Sequence, residues 1–125
     1  MDSEEFINKI NKAQDLIAQE KLTESLEILY DLREIEKKGN FDYSLTHSLY
    51  QLISNSESLL NQKNILDAIE SLANQRNSIS FSELNQYLKN KFDYKLDYGI
   101  LKREIELLIL RDKINYKLEG NELIF

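Results

Sequence analysis

Apolar side chains recur every three or four positions along most of the chain, and every second position only near its end. Phe6, Ile10, Ala13 and Ile17 form one helical stripe. Asp2 or Ser3 can cap it, with Glu4 and Glu5 placed to meet the partial positive charge of the helix start. The pattern breaks around Gln19–Ser25, where Thr23 is the expected cap of a second helix carrying Leu26, Leu29, Tyr30 and Arg33. Lys37, Lys38 and Gly39 make a C-terminal stop signal. A third helix is expected from Asp42 or Ser44, with Leu45, Leu49, Leu52, Ile53, Ser56 and Leu59 facing inward. Connections this short imply antiparallel neighbours.

Beyond Asn61 the pattern changes. Ile65, Leu66, Ile69 and Leu72 mark another helix, and Ser78–Ser80 a short extended piece. Ser80 and Glu83 form an S-x-x-E capping box, with Ile79 and Leu84 spaced as a hydrophobic staple, so a helix is expected from Phe81 to Lys91. Asp97 caps a last helix, with Leu96 and Leu101 as a second staple and Ile100, Leu101, Ile105, Leu108 and Ile109 as its inward face. After Lys113 the period drops to two. Ile114, Tyr116 and Leu118 alternate with Asn115 and Lys117, Gly120-Asn121 suits a tight turn, and Leu123–Phe125 returns. The expected class is mostly α (α+β). An N-terminal helical hairpin bundle over residues 1–61 is fused to a winged-helix domain over 62–125, whose order is helix, extended piece, helix, helix and hairpin wing. No Gly/Ser linker separates the parts, so they are expected to share a core.

Charge changes this picture more than composition does. The 125 residues carry a net −6, and the excess is all in the first part. Residues 1–61 hold six basic and twelve acidic side chains, and residues 62–125 hold ten of each. The first part would repel nucleic acid; the second is neutral and would bind it only if its cations share a face. Cysteine is absent, which excludes thiol chemistry, zinc fingers and disulfide scaffolding. The acidic start MDSEEFINK is unlike a signal or transit peptide, and the longest apolar run, Leu107–Leu110, is too short to span a membrane. A soluble cytoplasmic protein is the expectation.

Candidate chemistry is sparse. His47 is the only histidine and sits beside Ser44 and Ser48 on a helix; the three glycines are isolated, so no phosphate loop exists. Glu34/Glu36 and Glu104/Glu106 read as solvated helix faces rather than acid–base or metal pairs. The expectation is no enzyme, no metal and no cofactor. For nucleic acid, the candidate contacts are Tyr98, Lys102 and Arg103 on the last helix and Lys117 on the wing, opposed by Glu104 and Glu106. The bland reading of Lys102 is an exposed ion pair with Glu106. For protein contact, the candidates are Leu107, Leu110, Tyr98, Tyr116, Lys117 and Phe125, because LLIL is apolar all round and the hairpin's outer strand leaves backbone groups unpaired. Tyr43, Tyr50, Phe92 and Tyr94 are further aromatic candidates.

Helical hairpins running without a linker into a C-terminal winged helix resemble a PCI-type module, as in subunits of the proteasome lid, the COP9 signalosome and translation initiation factor 3. The resemblance is carried by ISFSELNQYL (79–88) and LLILRDKINYKLEGNELIF (107–125). With only about three helices before the winged helix, the helical part is shorter than that family's superhelix. The resemblance implies a non-catalytic scaffold module, a subunit of a larger complex that binds protein partners or itself. The alternative is a winged-helix DNA- or RNA-binding regulator.

Overall fold

A computed structural model describes residues 1–125. Five helices hold 71% of the residues, and a three-stranded antiparallel sheet completes a mostly α chain. Two compact units divide it, residues 1–60 and 61–125. The buried apolar side chains include one cluster in each unit.

The N-terminal unit contains α1 (Ser3–Ala18), α2 (Leu22–Lys38) and the first part of α3 (Tyr43–Ala73). Asp2 caps α1 as expected, its carboxylate accepting from the Glu5 amide at 2.8 Å. Phe6, Ile10 and Ala13 are buried; they share a cluster with Leu26, Leu29, Leu32, Leu49 and Ile53. Thr23 is not the cap of α2. The helix already includes Leu22, which is buried, and its start has no side-chain cap. Burial of Leu22 and of Ser25, whose hydroxyl donates to the Ala13 carbonyl at 3.0 Å, overrides the local capping preference. Gly39 does end α2, with extended φ −107° and ψ −176°. A side chain there would run into the Phe41 ring.

Helix α3 corrects the reading of two helices meeting near residue 62. It runs 31 residues from Tyr43 to Ala73, because nothing in Asn61–Asn64 breaks a helix. The unit boundary falls inside it. Leu59, expected inward, is 38% exposed. No helix is long and apolar enough to cross a membrane.

The C-terminal unit holds the end of α3, then β1 (Ser78–Ser80), α4 (Phe81–Phe92), α5 (Tyr98–Leu110), β2 (Lys117–Glu119) and β3 (Glu122–Ile124). Both halves of the Ser80–Glu83 capping box form, and the staple residues Ile79 and Leu84 are fully buried. Strand β3 lies between the other two, pairing Ile79 with Leu123 on one side and Leu118 with Leu123 on the other. The Leu123 side chain is thereby fixed in the core beside Ile65, Ile69, Phe81, Leu88, Leu101, Ile105 and Leu108. Gly120 takes φ +59° at the first of the two turn positions, and Asn121 does not need positive φ. That is the glycine-first hairpin turn, whose twist matches the strands.

Candidate interaction surface

Asp97 starts α5, its carboxylate accepting from the Gly99 amide at 2.8 Å. Leu101, Glu104, Ile105 and Leu108 are buried and Ile109 is half-buried, whereas Ile100, expected inward, is 37% exposed. The outward side carries Lys102, Arg103, Glu106 and Leu110, with Tyr98 at the flank. Tyr98 is 41% exposed, packs its ring edge-on against Phe81 at 5.7 Å, and shares a 2.7 Å hydrogen bond with the Ser82 hydroxyl. Leu107 is half-buried, and Leu110 stands 79% exposed.

Glu104 is the main correction at this surface. It is not on a solvated face but fully buried. A buried carboxylate needs partners, since desolvation otherwise costs several kcal/mol, on the order of the whole stability of a small unit. Its Oε2 accepts from Gln62 Nε2 at 3.0 Å, and its Oε1 from Arg103 Nε and Nη2 at 3.2 Å. Gln62 in turn accepts from Arg111 Nη1 at 3.0 Å. One guanidinium group and an amide, the amide itself bound by Arg111, thus hold the carboxylate below the surface. The signal was in the spacing: 101, 104, 105 and 108 form one stripe, which the charge of Glu104 masked. The expected Lys102–Glu106 ion pair does not form; the ion pair on this helix is Arg103 with Glu104.

Cations elsewhere in this unit are similarly engaged. Arg76 pairs with Glu83, Lys89 with Asp93, Lys91 with Asp67 and Lys117 with Glu119. Hydrogen bonding to Asp67, and then to Tyr87, pushes the Lys91 ammonium above its ordinary range. With Arg103, five of the ten basic side chains of residues 62–125 are in ion pairs.

The C-terminal hairpin presents Lys117, Glu119 and Glu122 to solvent, while Tyr116, Leu118 and Phe125 are half-buried. Tyr116 and Phe125 meet edge to face at 4.6 Å. One edge of the sheet is β1 and the other is β2, so Lys117–Glu119 is the hairpin's free edge. Phe92 is half-buried against the core. Tyr94, also half-buried, takes a hydrogen bond from Asn64 at 3.0 Å, and burial pushes its phenol up. Tyr43 is 81% exposed and stacks on His47, and Tyr50 donates to Glu36 at 3.0 Å. These two lie in the N-terminal unit, whereas Phe92, Tyr94 and Tyr98 belong to the C-terminal one. A shallow cleft of about 170 Å³ lined by Lys9, Lys12, Ile28 and Asp31 has no reactive grouping. No protein-family model, curated protein or solved structure matches the chain.

Proposed function

We propose that the chain is a non-catalytic protein-interaction module of PCI-like, winged-helix type, working in the cytoplasm as a subunit of a larger complex. The observation that carries this reading is the engagement of Arg103 by buried Glu104. Arg103 is the side chain of α5 best suited to a phosphate, and a phosphate would have to compete for it with a fully buried carboxylate. The wing adds two carboxylates, Glu119 and Glu122, flanking its turn. The order of elements from α3 to β3, with β1 paired to the hairpin, supports the winged-helix assignment. Leu110, exposed on the same helix, offers a partner apolar surface.

The test is binding to labelled duplex DNA and to RNA across a salt series. No salt-sensitive binding is expected at moderate ionic strength. Micromolar binding with a steep salt slope, abolished by Lys102→Glu with Arg103→Glu, overturns the proposal in favour of a nucleic-acid-binding regulator.

A further inference from the structure

The free edge of the wing reads Lys117-Leu118-Glu119, and its charge order is self-complementary. We infer that this edge takes a second copy of the same chain, β2 pairing antiparallel with β2 of the partner about a two-fold axis through Leu118. The inference rests on the interaction-module reading and names the partner of that surface.

Backbone direction comes first. Glu119 and Glu122 close a two-residue hairpin and are opposed in register. The closing residues of such a turn exchange their backbone hydrogen bonds, and antiparallel alternation then turns the Leu118 N–H and C=O away from β3, onto the open edge. An axis through Leu118 sets that residue opposite its own copy, where the two exchange both bonds. This is an isologous contact that closes on itself and cannot propagate into a fibre.

Side-chain charge then selects the register. With Leu118 opposite Leu118, Lys117 of each chain lies opposite Glu119 of the other. Those are the positions where cross-strand side chains approach most closely. Within one chain Glu119 faces Glu122 across the hairpin, a like-charge pair that costs stability. Lys117 already answers Glu119 at 3.0 Å along the strand. A second lysine from the open side would complete an alternating square of two cations and two anions on the exposed sheet face. On the other face, Leu118 is half-buried against the core, and its copy would extend that apolar contact. A lysine on a three-residue edge is also how a monomer discourages pairing. Here the following glutamate reverses that effect for one partner alone, an identical edge in antiparallel register.

The test uses the full chain, with sedimentation equilibrium for mass and amide NMR for position. Wild type is expected to show weak, reversible dimerisation, with concentration-dependent shifts centred on the Leu118 amide. Lys117→Glu and Glu119→Lys should each weaken dimerisation about tenfold or more, since each replaces opposite-charge pairs by like-charge ones. The swapped double variant, Lys117→Glu with Glu119→Lys, should dimerise as wild type does. Mixing the two single variants should yield a heterodimer. All four positions of charge are solvent-exposed, and unchanged circular dichroism and melting verify folding. A wild type that stays monomeric at all concentrations overturns the inference. So does a dimer indifferent to the charge variants, or one whose shifts avoid Leu118. The nucleic-acid titration above is independent of these outcomes, so a monomer that ignores DNA and RNA removes the self-pairing while leaving the interaction module standing.

Discussion

The two units bury their polar groups differently. In the N-terminal unit the buried polar side chains are two serines: Ser25 donates to a carbonyl, and the Ser56 hydroxyl, fully buried, has no partner. In the C-terminal unit they are Gln62, Asn64, Asn85 and Glu104, and all are bound. Asn85 donates to the Leu96 carbonyl and accepts from the Leu96 amide, tying α4 to the segment ahead of α5. Surface charge divides the same way, with one ion pair in residues 1–60 and five in 61–125. A bundle of apolar stripes needs only fit. A unit whose short strands must meet a helix in one register gains from directional bonds, which penalise near-misses that apolar contact would tolerate.

The largest effect should come from breaking that contrast at its two extremes. Glu104→Ala strips the buried Gln62 amide of its acceptor and should cost about 1–3 kcal/mol, while Arg103, 63% exposed, returns to solvent. Glu104→Gln, which keeps the shape and one acceptor, should cost less. Ser56→Ala in the other unit removes a hydroxyl that binds nothing and should be neutral or stabilising by up to about 1 kcal/mol. Native-state amide exchange, resolved by residue, reads both: protection in residues 61–125 falls in the first case and stays or rises around Ser56 in the second.

Capping sharpens the comparison next. Ser80→Ala dismantles the capping box of α4 and should cost about 1 kcal/mol. Thr23→Ala should stay within about 0.5 kcal/mol, because Thr23 lies exposed within the first turn of α2 and caps nothing. Chemical denaturation followed by circular dichroism separates the two.

These elements also show what could be read from the residues alone. Asp2, Ser80 and Asp97 were legible as caps because capping is a contact over two or three residues. Thr23 carried the same signal and lost to the burial of Leu22, a tertiary event no local motif reports. The break expected near residue 62 came from a polar stretch, and polarity alone does not end a helix. Helix ends were obscure for a further reason. Glu20 and Asp112 hold the left-handed position after α1 and α5 (φ 61° and 57°), where glycine usually marks the stop. At the candidate surface, Lys102, Arg103 and Lys117 were placed outward correctly, but Arg103 turned out to be committed to Glu104. That commitment was hidden because a carboxylate on an inward stripe reads as an error in the stripe until its amide partner on α3 is in view.

Those two left-handed residues give a smaller prediction that treats the units alike. After α1 the Lys21 amide donates to the Leu16 carbonyl at 2.8 Å and Glu20 to Ile17 at 2.9 Å; after α5, Lys113 donates to Leu108 at 2.9 Å and Asp112 to Ile109 at 3.1 Å. Both are Schellman closures on a residue with a Cβ, which costs about 1 kcal/mol relative to glycine. Glu20→Gly and Asp112→Gly should each stabilise by about 0.5–1 kcal/mol, less than the Glu104 loss and opposite in sign. A rise in melting temperature for one and not the other would separate the units where their backbones look the same.

The last effect is absent at neutral pH and appears only in alkali. Tyr30, in the N-terminal unit, donates to the Glu57 carboxylate at 2.6 Å, and burial together with that bond pushes its phenol up to about 12. Tyr94, in the C-terminal unit, is also pushed up by burial, but the Asn64 amide donates to its oxygen and favours the phenolate, pulling the other way. Both folded values lie above the ordinary value of 10. The neutral phenol is therefore the form that folding favours, and its contribution is complete below pH 10 and fades as pH rises through the folded value. Between the two, Tyr30 should ionise later, because its phenolate would face a carboxylate whereas that of Tyr94 would face an amide donor. Ring resonances followed by NMR through an alkaline titration give the order. Glu57→Gln should bring Tyr30 down toward the ordinary value without moving Tyr94. If Tyr30 keeps its late ionisation in that variant, burial alone sets it and the carboxylate is a bystander.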